Sequence, residues 1–346
     1  MTIIYFILIL GTTIFVHELG HFIFAKRAGV YIYEFALGMG PRLLKFKRKN
    51  DETIYSLRLF PLGGFVSMAG EDIEVDEAVP KGRSFQDKKW YQRCLIVVAG
   101  VLFNFIFAFL LLFTTSMIYG SDEVRPYLGT VEAKYPAKEA GLEQGDLLLE
   151  VDGKKVSSWD EVVILFEQLK NKKQMDFKVE KKNGDIETVT VKSIETKQNG
   201  QTRNTYGLVR SNERHHGVVA SFQYACLKFK TLIKTMFMVI GGLLTGSIST
   251  SSLAGPVGVY SVVGTSAAAG FSSILYLLAF LSINVGFVNL IPFPAFDGGR
   301  LLFLIIEKIK GSPVDPKIEN TIHSIGFILL MGLMLYVTFN DIMRLF

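Results

Sequence analysis

Two histidines and a glutamate lie in the middle of an apolar segment, IFVHELGHFIF, at residues 14–24. On a helix, residues four apart share one face, so His17 and His21 can offer two imidazole nitrogens to one metal ion. Glu18 lies beside them, where a carboxylate can act as a general base. A charged side chain at the centre of a membrane helix costs roughly 2.5–3.5 kcal/mol. The clustering therefore predicts a metal site.

A catalytic zinc ion usually has three protein ligands and one open position, so the sequence must supply a third ligand. The segment NVGFVNLIPFPAFDGGRL, residues 284–301, contains Asp297 at the predicted cytoplasmic end of an apolar span. The predicted orientation makes this span parallel to the first one. Asp297 then reaches the level of His17 and His21. His323 is the alternative third ligand.

The same segment contains residues that interrupt helices. Pro292, Pro294 and the pair Gly298–Gly299 are expected to break or loosen the helix there, and irregular backbone at membrane depth must be buried or line a wet cavity. Asn289 can donate and accept hydrogen bonds in such a cavity. It could hold a substrate carbonyl or an extended strand, or form a simple interhelical hydrogen bond.

The composition favours a membrane protein. Of the 346 residues, 49% are hydrophobic, and the mean hydropathy is +0.33. Four apolar stretches are long enough, or nearly so, to span a bilayer: residues 3–25, 94–117, 274 to about 296, and 325–339. The first lacks the basic start and cleavage pattern of a signal peptide, so we expect it to be retained. Residues 222–246 are interrupted by lysines and either lie at the membrane interface or form a fifth span.

The distribution of charge predicts the orientation. Residues 26–93 contain thirteen Lys and Arg residues, and basic residues also follow the third span, so both loops are placed in the cytoplasm. The N-terminus and residues 121 to about 270 then lie outside. A net charge of +5 without a basic stripe argues against a nucleic-acid partner. The two cysteines, Cys94 and Cys226, do not predict a disulfide framework.

Residues 121–215 form a polar insert. Leu147 to Val151 reads as a strand, Asp152–Gly153 as a hairpin turn, and Ser157 or Ser158 as the cap of a helix. The apolar face of that helix is predicted to include three residues: Val162, Val163 and Phe166. The segment MDFKVEKKNGDIETVTVKS adds two strands around Asn183–Gly184.

The insert resembles a PDZ domain of the circularly permuted bacterial type. AGLEQGDLLLEVDGKKV (residues 140–156) carries the resemblance, with YLGTV (residues 127–131) at the position of the peptide-carboxylate loop. The resemblance implies that Tyr127, Leu128 and Gly129 belong to that loop. PDZ domains bind peptides by adding a strand to a sheet edge. Peptide binding and simple steric filtering both remain open.

HELGH in the first span, NLIPFPAFDGG (residues 289–299) in a later one and the PDZ-like insert together resemble the site-2 protease family of intramembrane zinc metalloproteases. The bacterial regulator-of-sigma-E protease type is the most similar, and the resemblance covers nearly the whole chain. It implies that His17, His21 and Asp297 bind Zn²⁺. It also implies that Glu18 is the base and that Asn289 positions the substrate.

Shorter motifs extend the resemblance. GVLFN (residues 100–104) resembles the family's motif in the second span, and FALGMGP (residues 35–41) resembles a family turn. YSLRLFPLGGFVSMAGE (residues 55–71) resembles a membrane re-entrant β-hairpin that could clamp an unwound substrate. Besides Asn289, we expect four residues to contact substrate: Gly63, Gly64, Pro292 and Pro294.

We therefore expect a polytopic α-helical membrane protein with about four transmembrane helices, an inserted α+β PDZ-like domain and a re-entrant β-hairpin. Residues 1–120 and 216–346 form its membrane parts, and residues 121–215 form the insert. The expected function is zinc-dependent cleavage, in the bacterial cell membrane, of single-span proteins already shortened outside. By resemblance, these are anti-sigma factors or remnant signal peptides. A zinc-holding transporter and a non-catalytic adaptor are the rival interpretations.

Overall fold

A computed structural model describes residues 1–49, 51–71, 75–77, 79–131, 134–198, 201–250 and 253–344. The chain divides into two compact units. The helical unit comprises Met1–Leu111 and Leu253–Phe346, and the insert unit comprises Leu112–Ser252.

The described elements are as follows. The helices are α1 (Thr2–Arg27), α2 (Trp90–Tyr119), α3 (Pro136–Glu139), α4 (Trp159–Gln168), α5 (Val218–Leu244), α6 (Pro256–Ala269), α7 (Phe271–Leu290), α8 (Asp297–Lys310) and α9 (Pro316–Met343). The strands are β1 (Ile32–Lys47), β2 (Ile54–Met68), β3 (Ser121–Asp122), β4 (Leu147–Val151), β5 (Lys154–Lys155), β6 (Gln174–Glu180), β7 (Ile186–Lys192), β8 (Ile194–Gln198), β9 (Gln201–Thr205) and β10 (Arg214–His215).

Among the described residues, four helices are long and apolar enough to cross a membrane: α1, α2, α7 and α9. This confirms the predicted number, and the two largest differences from the predicted boundaries are the start of α9 and the end of α7. Helix α9 begins at Pro316, about nine residues earlier than expected, because Asp315 caps it by accepting a hydrogen bond from the Lys317 N–H. Helix α7 ends at Leu290, because Pro292 favours extended backbone at Ile291, whose φ and ψ are −62° and 133°.

Strands β1 and β2 pair antiparallel in a folded sheet with repeated register shifts. Residues 34–37 have partners at both 64–67 and 54–57, so the first half of β1 lies between two arms of β2. Gly38 and Gly63, with φ values of 85° and 93°, lie where the paired strands reverse. The arm at residues 64–67 therefore lies along one side of the first half of β1, and the arm at residues 54–57 lies along the other side.

Glu34 accepts hydrogen bonds from residues of both strands of this sheet. Its carboxylate is buried and accepts hydrogen bonds from Arg42, Ser56 and Arg58. Burial raises the pKa of Glu34, but these hydrogen bonds outweigh burial and hold the pKa below its usual range. The carboxylate therefore stays ionised and joins the first half of β1 to its second half and to the first arm of β2.

Helix contacts in the helical unit use small and apolar residues. Ile9 of α1 packs with Val263 of α6 and with Leu277 of α7 in one buried cluster. A β-carbon added at Gly20 of α1 would lie 2.4 Å from the Ala99 carbonyl oxygen of α2. Glycine therefore permits close approach of α1 and α2, as small residues commonly do between membrane helices.

The insert unit contains a four-stranded sheet in the order β5-β4-β6-β7, packed against α4. Strand β4 has the predicted bounds, and Asp152 and Gly153 have the positive φ values, 52° and 75°, of the predicted hairpin turn. Ser158 caps α4 by accepting a hydrogen bond from the Glu161 N–H. The prediction for Val163 is wrong, because its side chain is 52% exposed.

Helix α5 packs against α4. Lys234 donates to the buried Glu161 carboxylate and Lys228 to Asp160, each at 2.6 Å. Gln168 Nε2 of α4 donates to the Met238 carbonyl oxygen at 3.2 Å. Among the described helices, α5 does not qualify as a candidate span. Two of the lysines that interrupt its apolar sequence thus pair with acidic residues of α4.

Candidate active site

Helix α1 brings His17 and His21 together as the spacing predicts. Both side chains are buried, and their Nε2 atoms lie 3.2 Å apart. Asp297 Oδ2 lies 3.1 Å from Nε2 of His17 and 3.3 Å from Nε2 of His21. One carboxylate oxygen therefore faces both imidazoles at close range.

The opposite nitrogen of each imidazole is held by α2. Nδ1 of His21 lies 2.9 Å from the Ile96 carbonyl oxygen, so Nδ1 carries the proton and donates it. Nε2 of His21 is then left with a lone pair that points toward Asp297. A carbonyl partner thus selects the tautomer that a metal ligand needs.

The Asn104 amide is the hydrogen-bond partner that selects the tautomer of His17. Its amide nitrogen lies 3.3 Å from Nδ1 of His17, while its oxygen is buried without a hydrogen-bond partner. Turning the amide by 180° brings Oδ1 to Nδ1 and satisfies both groups. Nδ1 of His17 then donates to Oδ1, and Nε2 is again the atom with the lone pair.

Gly100 leaves room for the two rings. A β-carbon added at this position would lie 2.3 Å from Nε2 of His21 and 2.8 Å from Cε1 of His17. Gly100 and Asn104 are four residues apart on α2, so they face the imidazoles from one side of that helix. The motif GVLFN thus supplies both space and a hydrogen-bond partner.

Asp297 reaches the site on a separate helix. The prediction that it ends the third span is wrong, because α7 stops at Leu290 and Asp297 is the first residue of α8. A carboxylate in the first turn of a helix also interacts favourably with the helix dipole.

The pair Gly298–Gly299 does not loosen a helix as expected. It lies buried in the first turn of α8, where added β-carbons would come within 2.3 Å of the Ile291 carbonyl oxygen and 2.5 Å of the Phe293 carbonyl oxygen. The two glycines therefore let α8 begin directly against the preceding loop.

Helix α8 is anchored at several points. Trp90 Nε1 of α2 donates to the Leu304 carbonyl oxygen at 2.6 Å, and Arg93 forms a two-fold ion pair with Glu307. Arg300, one turn after Asp297, donates to Glu71. These contacts fix the helix that presents the third candidate ligand.

Glu18 lies beside this cluster. Its side chain is half-buried and lies within electrostatic range of both imidazoles and of Asp297. A β-carbon added at Gly64 would lie 3.1 Å from Cγ of Glu18, so the glycine leaves space for this side chain. The carboxylate is thus available for proton transfer next to the cluster.

The arrangement fits a zinc ion. The ligand atoms of His17, His21 and Asp297 all lie within 4.8 Å of one another. With both Nδ1 atoms protonated, the two Nε2 atoms and the buried Asp297 Oδ2 are three facing atoms that each offer a lone pair. Three buried acceptors at this separation repel one another unless a cation lies between them. Two imidazoles and a carboxylate are a common ligand set of catalytic zinc.

Comparison with known proteins assigns the family. The sequence model of Peptidase family M50 matches residues 5–333. The chain belongs to this family. It is 33% identical to the regulator of sigma-W protease RasP of Bacillus subtilis, over 100% of this chain and 99% of that protein. It is 34% identical to the zinc metalloprotease RasP of Bacillus licheniformis, over 100% of this chain and 99% of that protein. The corresponding protein of Geobacillus kaustophilus is 32% identical, over 100% of this chain and 98% of that protein.

The other residues expected at the site of this M50 peptidase are less closely associated with the cluster. Asn289 is half-buried on the last turn of α7, and within the described part of the chain no hydrogen bond joins it to His17, His21 or Asp297. Pro292 belongs to the bend that ends α7.

Two further expected residues lie against neighbouring elements. A β-carbon added at Gly63 would lie 2.7 Å from Cε of Met39 in β1, and Cβ of Pro294 would lie 2.4 Å from one added at Gly326 of α9. His323 is not in the metal-ligand cluster found among the described residues. Its Nδ1 accepts a hydrogen bond from the Ala295 N–H at 3.0 Å.

The expected peptide-carboxylate loop uses its own amides. The Leu128 N–H donates to the Asp146 carbonyl oxygen at 2.8 Å, and the Gly129 N–H donates to the Val209 carbonyl oxygen at 2.7 Å. Leu128 is also buried in the core of the insert, and Tyr127 is bridged to Leu147. A peptide carboxylate would have to compete with these bonds.

Several contributors to the site were not identified from the sequence. The sequence indicates Gly100 and Asn104 only as part of a family motif, and it does not predict the interactions of Arg300 and His323. The available signal was the four-residue spacing of Gly100 and Asn104, which matches that of His17 and His21. The partners of Arg300 and His323 lie far away in the sequence, so no local pattern indicates them.

Proposed function

We propose that this M50 peptidase holds zinc between His17, His21 and Asp297 and hydrolyses peptide bonds within the membrane. The observation that carries the proposal is the buried cluster of three lone-pair atoms within 4.8 Å of one another. Two of its three residues, His17 and His21, lie on α1, a helix long and apolar enough to span a bilayer. The family assignment and the zinc metalloprotease relatives support the same conclusion.

The mechanism assigns one role to each group. Bound zinc supplies a Lewis acid that polarises the scissile carbonyl and makes water a better nucleophile. Glu18 takes the proton of the attacking water and returns it to the leaving amine. Ile96 and Asn104 hold the two imidazoles in the required tautomer, so no reorganisation is needed during the reaction.

The substrate must reach the site as extended chain, since a helical backbone is already hydrogen-bonded to itself. The arm of β2 at residues 64–67 pairs with β1 on one side and brings Gly64 next to Glu18. A sheet edge of this kind can bind an unwound segment by strand addition. We therefore assign β1 and β2 to the re-entrant hairpin that presents the substrate, with Gly63, Gly64, Asn289, Pro292 and Pro294 along its path.

The proposed substrates are single-span membrane proteins that another protease has already shortened outside the cell. The resemblance to site-2 proteases and the sigma-W regulator among the relatives favour anti-sigma factors, and remnant signal peptides fit the same description. In the proposed orientation, the site lies toward the cytoplasm and the insert lies outside. The basic residues of the segment between α1 and α2 support this orientation.

The insert is proposed to act as a PDZ-like filter. The amides of Leu128 and Gly129, which would bind a peptide carboxylate, already donate to backbone carbonyls. This favours exclusion of bulky substrates over capture of a free C-terminus. The three candidate zinc ligands all belong to the helical unit, so the insert adds none of them.

Cleavage by the purified protein in detergent tests the proposed function. A single-span substrate without its external domain is incubated with the wild type and with Glu18→Gln, and the zinc content of both proteins is measured. Because Glu18→Gln removes the base but no ligand, zinc should stay bound while the rate falls by at least ~10²–10⁴. A fully active Glu18→Gln protein would show that Glu18 is not the base. Wild-type protein that contains zinc but does not cleave would favour a transporter, and wild-type protein without zinc would favour an adaptor.

A further inference from the structure

A strained turn immediately precedes Asp297. The Phe296 N–H donates to the Phe293 carbonyl oxygen at 3.2 Å and closes a four-residue turn with Pro294 second and Ala295 third. Ala295 has φ 82°, and among the described residues only Asp152 is another non-glycine residue with positive φ. Proline at the second position and positive φ at the third characterise a type II turn, whose third residue is ordinarily glycine. Alanine there needs support from its surroundings.

Helix α9 provides that support. Nδ1 of His323 accepts a hydrogen bond from the Ala295 N–H at 3.0 Å. One turn later, Gly326 lies so close to the loop that an added β-carbon would be 2.4 Å from Cβ of Pro294. The His323 ring also packs against Phe303 of α8, with 5.5 Å between ring centroids. One face of α9 thus contacts both the turn and the helix that begins at Asp297.

We propose that His323 is a positioning residue for Asp297 and not a ligand itself. Since Nδ1 accepts the Ala295 N–H, it is unprotonated, and the ring proton of the neutral imidazole is on Nε2. This bond holds Ala295 in the left-handed conformation, which directs the chain into the first turn of α8, two residues later. Without the bond, Ala295 relaxes toward negative φ and the Asp297 carboxylate leaves the two imidazoles.

The inference rests on the proposed function, because it assumes that Asp297 binds zinc. The proposed positioning role and an ordinary packing role place different requirements on the side chain at residue 323. A packing role needs a side chain of similar volume, whereas the positioning role needs a hydrogen-bond acceptor at the place of Nδ1. Asparagine provides such an acceptor, because its Oδ1 is attached to Cγ as Nδ1 is in histidine. Leucine has similar bulk and no acceptor.

The test compares zinc affinity, by competition with a chromogenic chelator, in full-length protein in detergent. His323→Leu should bind zinc roughly 10- to 100-fold more weakly than wild type, the range typical for loss of an outer-shell partner. His323→Asn keeps the acceptor, so it should bind zinc nearly as tightly as wild type. Ile328→Ala, at a position 67% exposed on α9, is the matched control and should not change the affinity.

A double variant tests the role of the strained alanine. In His323→Leu with Ala295→Gly, glycine adopts positive φ without help, so most of the lost zinc affinity should return. Wild-type affinity in His323→Leu would overturn the proposal, as would an equal loss in His323→Asn or no recovery in the double variant. A wild-type protein that binds no zinc would instead refute the proposed function, whatever the His323 variants do.

Discussion

A β-carbon added at Gly100 would lie 2.3 Å from Nε2 of His21, well inside the closest approach of non-bonded atoms. The glycine thus defines how closely α2 lies against the two imidazoles of α1. The same helix supplies the carbonyl of Ile96 and the amide of Asn104 to their Nδ1 atoms. Helix α2 therefore positions both histidines without contributing a residue to the candidate metal cluster.

Gly100→Ala should displace the imidazoles and weaken zinc binding. Overpacking a close contact costs about 1–3 kcal/mol, which corresponds to about 5- to 150-fold in affinity. Chelator competition on purified protein measures the change. Gly11→Ala is the control, because an added β-carbon at Gly11 of α1 meets nothing within 4 Å. Equal zinc affinity in the two variants would show that α2 does not constrain the site.

Asn104→Leu should weaken zinc binding by roughly 10- to 100-fold, because it removes the acceptor for the His17 Nδ1 proton. Asn104→Asp keeps an oxygen at the same place and should retain most of the affinity. The same chelator competition measures both variants. If the leucine variant bound zinc as well as the aspartate variant, then Asn104 would only pack between the helices.

Leu148→Asp should unfold the insert, because it buries an unpaired charge in a strand whose Leu148 side chain is fully buried. If the insert is a filter, the variant should cleave full-length substrates that the wild type rejects. Its rate on a trimmed substrate should stay near the wild-type rate. Val163→Asp is the control, since Val163 is 52% exposed and the charge can remain in water.

The decisive measurement compares cleavage of the full-length substrate with cleavage of the trimmed substrate, using variant protein that remains intact in the membrane. Loss of cleavage of the trimmed substrate by Leu148→Asp would contradict the filter. The insert would then be a docking site for the new C-terminus, reached through the loop at residues 127–131.

The parts of the site within one helix could be predicted from the sequence. The helical repeat alone places His17 and His21 together. In the insert, the hairpin turn at Asp152–Gly153 likewise follows from two residue types that favour such turns. The predicted depth of the third span indicates Asp297, although α7 ends at Leu290 and Asp297 is the first residue of α8. The role of Asn104 was not predicted, because its partner His17 lies 87 residues away and only the folded chain joins them.

The fold was predictable to a similar extent. Apolar length indicates the four candidate spans, whereas α6 and the strands β8 and β9 were not predicted from their sequences. Lys234 illustrates the limit. Its position on an amphipathic helix suggests a membrane surface, yet it pairs with Glu161, which is fully buried in the insert. A lysine's partner depends on tertiary packing, and helical periodicity contains no information about it.

The central claim is that Asp297 completes a zinc site with His17 and His21. Zinc X-ray absorption of Asp297→Cys, with Cys94 and Cys226 replaced by serine, tests it most directly. A cysteine in place of a ligand should add a sulfur neighbour at about 2.3 Å to the zinc shell. Asn289→Cys in the same background is the control and should show nitrogen and oxygen neighbours only. Full zinc content with an unchanged spectrum in Asp297→Cys would contradict the assignment of Asp297 as a ligand.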